Sequence, residues 1–434
     1  MAHVINYLNA IQVYTQAGER YGVPIMPLRK TVPSMYAVVN MAIVEQHQTS
    51  AVMSHGHLLP ALVDHPLLLA ELATMKHLIL TTHAIIPVGA YTHLNFAFLY
   101  IDPDNYSVVP MESNQTDFYS RFAALKDYGV EVWISIGGYS MNDPGIYSTV
   151  FTDLAASTTA QNEFFTSLLD FLEEYGFDGV DIDWEYPGAS NRYGTSADYA
   201  NFVTFIENMR SALGSSYGVS ITLPSSYWYL QYFDIVNLAN HVDWFNFMSY
   251  DVYGSWDTDI ASIGAYVYAS TNLTTITADL SLLWHNNISA SQVNLGLGFY
   301  GRSYTLEDTS CVDPGCAYSS AGNAGPCTQT AGILSYAEIV SIINDTSRNA
   351  TVWLDEASSV KIATYDGDQW VSYDDPETLQ LKMNFANSEC IGGLMVWSVD
   401  EDNDGELSAT LTNSTDLFPA VGSGEVYIGS QGEK

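Results

Sequence analysis

Three carboxyl side chains at alternate positions are the residues of this chain best suited to chemistry. Asp181, Asp183 and Glu185 alternate with apolar, β-prone residues. Because alternate side chains of a strand project from one face, we predict a strand with an acidic face and an apolar face. Crowded carboxylates raise one another's proton affinity, and general acid catalysis needs an acid that is still protonated near pH 7. By itself, the pattern also suits a solvated acidic strand or a metal site.

The segment before this strand indicates an α/β architecture. Phe164, Leu168, Phe171 and Leu172 recur at helical spacing, and Tyr175-Gly176 is typical of a helix end. A helix that leads into an apolar strand is the repeating unit of an α/β barrel. Carboxylates at the carboxyl end of such a strand indicate an active site.

The longer run Phe177 to Pro187 resembles the signature of glycoside hydrolase family 18, the chitinases. Further motifs that resemble the family follow in chain order: Ser135 to Gly138, Met248 to Asp251, Gly298 to Arg302 and Gly393 to Trp397. The run Leu223 to Leu230 is most similar to the large fungal chitinases related to killer-toxin subunits. The resemblance extends from about Pro87 to Asp402 and implies an α/β fold, a (β/α)8 TIM barrel.

Seven strands and several helices alternate along the chain, as parallel strands with right-handed crossovers require. The predicted strands are Tyr91 to Phe98, Glu131 to Ile136, Gly179 to Trp184, Val219 to Leu223, Trp244 to Met248, Val293 to Gly298 and Gly393 to Val396. The predicted helices include Phe118 to Tyr128, Thr159 to Tyr175, Ala197 to Leu213 and Pro376 to Asn387.

The first strand of the barrel is missing or atypical by sequence. Residues 1–86 do not resemble the family and are predicted to be mixed helix, including a run from His55 to His83; Val38 to Val44 is a possible substitute strand. The first residues of the chain also show no pattern typical of a signal peptide. The two observations together suggest that the N-terminus is truncated, rearranged or mispredicted at the gene level.

The predicted catalytic barrel covers residues 87–405, with an α+β insertion between strands seven and eight at about 305–375. The insertion contains a helix at Leu334 to Ile343 and a hairpin of Lys361 to Tyr365 with Gln369 to Tyr373. In the family, such an insertion walls the substrate groove and accompanies deep, processive clefts. Residues 406–434 are predicted as a C-terminal helix and a polar tail.

The resemblance implies catalytic roles for four residues. Glu185 is the general acid that protonates the glycosidic oxygen, and the substrate's own 2-acetamido carbonyl is the nucleophile. Asp183 holds the acetamido N–H and shares a proton with Asp181. Tyr250 donates its hydroxyl to the acetamido oxygen. Asp181 as a buried structural acid and Tyr250 as an ordinary core residue are the alternatives.

Other residues are expected to bind the substrate. Trp397 forms the floor of the central subsite unless it is a core residue, and Met248 and Asp251 line that subsite. Arg302 contacts the substrate or balances the acidic site. Tyr227 and Trp228 are expected to form platforms on the leaving side, and Gly137 and Gly138 are expected to allow close backbone packing. His93 is expected to pack inside the barrel and not to bind metal. The chemistry requires no metal and no cofactor.

Composition restricts the partners. Acidic residues number 49 and basic residues 13, which gives a formal net charge of -36 at pH 7. Such charge disfavours nucleic acid and anionic membranes and suits a neutral polymer such as chitin or chitooligosaccharides. The apolar run Leu58 to Leu80 is broken by charged residues and prolines, which argues against a membrane span. The 13% aromatic content suits either core packing or sugar stacking. We expect a monomer.

Cysteines and glycosylation motifs indicate an extracellular protein. Cys311, Cys316, Cys327 and Cys390 favour disulfides, with open pairing, over a zinc site, because the spacing is irregular and no histidine falls in the cluster. Seven Asn-X-Ser/Thr sequons begin at Asn105, Asn114, Asn272, Asn287, Asn344, Asn349 and Asn413.

The leading hypothesis is therefore a secreted endo-acting chitinase. A chitin-binding lectin on the same fold is the second hypothesis, but such relatives usually lack the catalytic glutamate. An impaired product that lacks its first strand is the third. An endo-β-N-acetylglucosaminidase uses a similar strand, although the Met248 to Asp251 and Gly393 to Trp397 motifs favour chitin.

Overall fold

Eight parallel strands form a barrel in the described part of the chain. The computed structural model describes residues 34–40, 85–86, 88–112, 115–413 and 426–427, so the predicted helix in the run from His55 to His83 lies outside the described residues. The barrel strands are β1 (Ser34–Asn40), β2 (His93–Ile101), β3 (Glu131–Gly137), β4 (Gly179–Asp183), β5 (Gly218–Pro224), β6 (Trp244–Met248), β7 (Val293–Gly298) and β8 (Gly393–Trp397).

Strand β1 closes the barrel. It pairs in parallel with β8, where Ala37 faces Val396, and with β2, where Ala37 faces Leu94. From the sequence, this first strand was expected to be missing or atypical. The structure has it at Ser34–Asn40, where it overlaps the possible substitute strand Val38 to Val44. Closure gives every barrel strand two neighbours, so that its backbone N–H and C=O groups are paired on both sides.

Helices cover the barrel on its outer side because their apolar faces repeat at helical spacing. The α-helices are α1 (Thr116–Ala123), α2 (Val150–Ala156), α3 (Thr158–Tyr175), α4 (Asp198–Leu213), α5 (Tyr227–Leu230), α6 (Ile235–Leu238), α7 (Leu273–His285), α8 (Tyr336–Asn344), α9 (Pro376–Ser388) and α10 (Glu406–Asn413). Helix α3 shows why the boundaries fall where they do. The Ser157 hydroxyl accepts the Ala160 N–H at its start, and Gly176 takes a φ of 78° at its end.

The predicted insertion between β7 and β8 is a second, antiparallel sheet with one helix, α8. Its strands are Tyr300–Leu306, Tyr318–Ala321, Ile333–Ser335, Thr351–Asp355, Val360–Tyr365 and Gln369–Tyr373. The predicted hairpin is confirmed, with Tyr365 facing Gln369 across it. Two short strands outside both sheets, Ile85–Ile86 and Val426–Tyr427, pair with each other, and Val108–Pro110 pairs with the end of β2.

One disulfide and one buried ion pair lie in this part of the chain. Cys311 and Cys316 are bonded, whereas Cys327 and Cys390 are exposed free thiols. Lys382 on α9 pairs with Asp374, and both side chains are almost completely buried. Asp374 also accepts a hydrogen bond from Thr271, just before α7, at 2.7 Å. The pair therefore ties the end of the insertion sheet to two barrel helices.

No helix of the described residues combines the length and the apolar character needed to cross a membrane.

Candidate active site

The three alternating carboxyls lie at the carboxyl end of β4. Asp181 and Asp183 belong to the strand and Glu185 follows it; their exposed fractions are 1%, 5% and 7%. The apolar side chain between the last two, Trp184, stacks on Phe151 with ring centroids 5.3 Å apart, on the helix side of the strand. The carboxyls therefore point to the opposite side, into the barrel, as the alternation predicts.

Asp181 is the best satisfied of the three acids. It accepts hydrogen bonds from Ser135 at 2.9 Å, from Ser220 at 2.6 Å and from the amide of Asn246 at 2.9 Å. Burial is the main cause that raises its pKa, and these three donors lower it. Sequence reasoning missed the donors. Their signal is a small polar residue within the otherwise apolar strands β3, β5 and β6.

Asp183 and Glu185 hold their protons more tightly than free acids. Burial first, then the charges of Glu185 and Asp181, raise the pKa of Asp183 well above its usual range, while a hydrogen bond from Thr222 opposes the shift. Burial raises the pKa of Glu185 to about 7, while a hydrogen bond that its carboxylate accepts from Tyr186 and the positive charge of Arg192 oppose this shift. Glu185 can therefore carry a proton near neutral pH.

Glycines make room for this strand, as expected from the sequence. A Cβ on Gly137 would lie 2.1 Å from the carbonyl oxygen of Asp183, and one on Gly138 would lie 2.7 Å from the ring of Phe98. The N–H of Gly138 donates to that same carbonyl oxygen at 2.9 Å. Both glycines also have positive φ, which favours residues without a Cβ.

Tyr250 lies just beyond β6 and is buried. Its hydroxyl donates to the sulfur of Met395 at 3.7 Å. Burial, followed by the charges of Asp183 and Glu185, raises its pKa well above the usual range. Tyr250 thus faces the acids and keeps its hydroxyl proton for donation.

Asp251 and Arg302 pair with each other. Asp251 accepts from the Arg302 Nε at 2.7 Å and from the Tyr300 hydroxyl at 2.8 Å. The Arg302 guanidinium also lies 4.9 Å from the ring centroid of Trp256. Of the two expectations for Arg302, contact with substrate or balance of acidic charge, the pairing with Asp251 corresponds to the second.

Aromatic side chains surround the acids at the carboxyl ends of the strands. Trp397, at the end of β8, is partly exposed and stacks on Phe98 at 5.5 Å; Met248 is partly buried at the end of β6. Tyr227 and Trp228 lie on α5 beyond β5 and are 57% and 66% exposed. These positions suit a sugar-binding surface.

His93 lies at the opposite end of the barrel, on the first position of β2. Its ring packs edge-on against Trp133 and Trp244, with centroids 5.5 and 5.3 Å away. In the described part of the chain, no three His, Cys, Asp or Glu side chains are grouped so that they could hold a metal ion.

Sequence reasoning also missed Arg192, Tyr186 and Tyr229. Arg192 contacts the backbone of Glu185, and Tyr186 stacks on Tyr229 with centroids 4.1 Å apart. Tyr186 and Arg192 lie in the loop after β4 and Tyr229 lies on α5, and sequence spacing does not predict contacts between these segments.

Comparison with known proteins gives the following matches. A family model described as glycosyl hydrolases family 18 matches residues 74–402. The chain is 31% identical over 344 residues to "Probable chitinase LysM18" of Penicillium expansum, which covers 75% of this chain and 24% of that relative. It is 32% identical over 293 residues to "Killer toxin subunits alpha/beta" of Kluyveromyces lactis, which covers 66% of this chain and 25% of that relative. The chain thus spans about a quarter of the length of either relative.

Among solved structures, catalytic domain 2 of the Ostrinia furnacalis Group II chitinase aligns with a TM-score of 0.69 and 26% identity, over 80% of this chain and 94% of that one. A mutant of that domain has been solved in complex with penta-N-acetylchitooctaose. The predicted barrel fold and the predicted resemblance to fungal chitinases and killer-toxin subunits are confirmed.

Proposed function

The chain belongs to glycosyl hydrolase family 18, and from this premise we propose that it is a chitinase that hydrolyses β-1,4 bonds between N-acetylglucosamine units. The observation that carries the proposal is the group of buried acids at the end of β4. Burial raises the pKa of Glu185 to about 7, and Glu185 lies beside a second buried acid, Asp183, whose pKa is also raised well above its usual range. A buried acid poised near neutral pH at the carboxyl end of a barrel strand is what general acid catalysis requires.

In the first step, Glu185 donates its proton to the glycosidic oxygen as the bond to the anomeric carbon breaks. The acetamido carbonyl oxygen of the same sugar attacks that carbon and forms an oxazolinium ion. Asp183 accepts the acetamido N–H, and Tyr250 donates its hydroxyl to the acetamido oxygen. Asp181 is a second acid next to Asp183, and three hydrogen-bond donors hold its carboxyl in place.

In the second step, Glu185 is a carboxylate and acts as a base. It takes a proton from a water molecule whose oxygen attacks the anomeric carbon, and the oxazolinium ring opens. Two inversions give net retention. Because the nucleophile belongs to the substrate, the mechanism restricts hydrolysis to sugars with an acetamido group on C2.

The remaining site residues bind the sugar chain in this proposal. Trp397 stacks beneath the reacting sugar, with Met248 and Asp251 along its edge. Gly138 brings the backbone close to it. Tyr227 and Trp228 offer exposed aromatic faces on the leaving side. Arg302 holds Asp251 in place through their ion pair.

The direct test is release of a fluorogenic aglycone from di-N-acetylchitobioside by the purified chain and by Glu185→Gln. We expect release by the wild type alone. If neither protein releases the aglycone but both bind chitin beads, the result would contradict the proposal in favour of a lectin. If neither releases the aglycone and neither binds, the result would also contradict it, in favour of an impaired product. Release from N-glycans but not from chitobioside would favour an endo-β-N-acetylglucosaminidase.

We also propose that the protein acts outside the cell. Four sequons present exposed asparagines, at Asn105, Asn287, Asn344 and Asn349, and the Cys311–Cys316 disulfide suits an oxidising compartment. Mass spectrometry of the protein isolated from its source, before and after removal of N-glycans, tests this. An unmodified, fully reduced protein would contradict it.

A further inference from the structure

Arg192 is a buried cation beside the candidate acid. It ends a short 3-10 turn, Ser190–Arg192, in the loop that follows β4, and its exposed fraction is 5%. Burying a guanidinium is unfavourable unless its donors are satisfied. The partners of Arg192 therefore indicate its role.

The guanidinium of Arg192 joins two loops at the carboxyl end of the barrel. Its Nε donates to the carbonyl oxygen of Glu185 at 3.0 Å, within its own loop. Its other two nitrogens reach the loop after β3: one donates to the Asp143 carboxylate at 2.8 Å and one to the carbonyl oxygen of Tyr139. The guanidinium carbon also lies 3.8 Å from the centroid of the Tyr139 ring.

These contacts act on the backbone that carries the acid. The carbonyl carbon of Glu185 is bonded to the Cα that carries its side chain, so a donor held on that carbonyl oxygen restricts the direction in which the carboxyl points. The guanidinium group of Arg192 is planar and rigid, so it can fix the position of this carbonyl better than the flexible side chain of a lysine could. The carboxylate partner, Asp143, has a half-exposed side chain, so this ion pair is not a fully enclosed structural one.

We propose that Arg192 is a positioning residue for the reaction, holding the backbone of Glu185 and the loop of Tyr139 in one arrangement. This inference rests on the proposed function, because it assigns a role in that reaction.

The charge of Arg192 has a second, measurable consequence. Its positive charge lowers the pKa of Glu185 against the effect of burial. The other charged or titratable groups that act on Glu185, or on which it acts, are Asp143, Asp183, Asp251, Tyr139, Tyr186 and Tyr250. Loss of the Arg192 charge should therefore raise the pKa of Glu185 further, and the pH range in which the acid is protonated should extend upward.

Arg210 provides a matched control at the other end of the barrel. Its Nε donates to the carbonyl oxygen of His241 at 2.9 Å, one Nη to the carbonyl oxygen of Tyr217 at 3.1 Å and the other to the Asp243 carboxylate at 2.7 Å. Like Arg192, Arg210 donates to two carbonyl oxygens and one carboxylate through these three nitrogens, but these partners precede β5 and β6, away from the acids.

The experiment compares Arg192→Gln, Arg192→Lys and Arg210→Gln with wild type in the pH profile of chitobioside hydrolysis and in Tm. For Arg192→Gln we expect kcat at the optimum to fall by about tenfold or more, and the basic limb of kcat/KM to move up by roughly half to one pH unit. Arg192→Lys should lower kcat but leave the basic limb of kcat/KM near its wild-type position, since lysine keeps the positive charge. Arg210→Gln should change only Tm.

A second readout does not depend on activity: the carboxyl carbon of Glu185 is titrated by 13C NMR, with Glu185→Gln for assignment. If the wild type were inactive, the proposed function would fail, but an upward shift of this titration in Arg192→Gln would still support the influence of Arg192 on Glu185. The proposal is overturned if Arg192→Gln resembles Arg210→Gln, with a lower Tm but an unmoved basic limb and an unmoved titration.

Discussion

Asp181, Asp183 and Glu185 share one strand end, yet their surroundings differ. Asp181 has three neutral donors, Asp183 has two acidic neighbours, and Glu185 has both a cation and more distant acids nearby. The same chemical group therefore meets a different balance of burial, charge and hydrogen bonds at each position, and such differences allow neighbouring carboxyls to take different roles in one site.

The first prediction at the residue scale concerns the division of roles. Glu185→Gln should abolish hydrolysis while sugar binding remains, because the amide has the same shape but no acidic proton. Asp183→Asn should lower kcat by about 10²-fold or more, as for loss of one preorganised polar contact. Initial rates with chitobioside and calorimetric binding of a chitooligosaccharide measure both effects. Near-full activity of Glu185→Gln would contradict the assignment.

The second prediction concerns pH. Since Glu185 must be protonated to act as an acid, kcat/KM should fall as the pH rises through about 7, the pKa to which burial raises it. Profiles measured from pH 4 to 9 on the chitobioside test this. A basic limb near the ordinary pKa of a glutamate, about 4.3, would show that Glu185 is not the acid.

At the scale of elements, close contacts between strands shape the site. Gly138 lets the end of β3 approach Phe98 on β2, and Phe98 in turn stacks on Trp397 of β8. Three strands are thus coupled through one glycine and two rings. We therefore predict that a change at the end of β3 displaces Trp397, the proposed sugar-binding residue of β8.

Gly138→Ala should therefore damage binding more than folding. The new Cβ would lie 2.7 Å from the Phe98 ring, and Phe98 and Trp397 would have to move. Gly214→Ala is the control, since Gly214 has a positive φ of 62° but no atom within 4 Å of an added Cβ. Both variants should lose about 1–2 kcal/mol of stability to backbone strain. Only Gly138→Ala should also raise KM for chitooligosaccharides; equal KM values would refute the coupling.

The buried pair of Lys382 and Asp374 supports a prediction about the joint between the barrel and the insertion. Lys382→Ala leaves a buried carboxylate without its cation and should lower the free energy of unfolding by about 3–5 kcal/mol. The control is Lys361→Ala, which removes an ion pair to the exposed Glu377 and should change it by less than about 1 kcal/mol. Urea denaturation of both variants measures the difference, and similar losses would contradict the structural role of the buried pair.

For the whole molecule, raised carboxyl pKa values and net charge act in the same direction. In the folded barrel the pKa values of Asp183, Glu185 and Glu401 are raised, chiefly by burial, so these carboxyls bind protons more tightly than they do in the unfolded chain. Deprotonation adds buried negative charge to a chain that already has a formal net charge of -36. Both effects oppose the folded state as the pH rises.

Stability should therefore be higher in mildly acidic than in mildly alkaline solution. Burial raises the pKa of Glu401 from 4.5 to about 8. Its contribution is fully present below the unfolded-state pKa and is lost as the pH rises through about 8. Tm measured between pH 5 and 9 should fall, and Glu401→Gln should flatten part of that slope. A Tm that rises over this range, or an unchanged slope in Glu401→Gln, would contradict the prediction.

The sequence by itself determined seven strands of the barrel and the direction of the three acids, because periodicity and alternation are local properties of the chain. The barrel class followed from the resemblance of its motifs to a known family. The sequence also indicated the glycines beside β4. Only the tertiary structure decided the first strand, Ser34–Asn40, since its pairing with β8 joins residues that are far apart in the chain. Only the tertiary structure also revealed the contacts of Arg192 and the hydrogen-bond donors of Asp181. Their partners come from other strands and loops, and no spacing rule connects a loop arginine to the backbone that it holds.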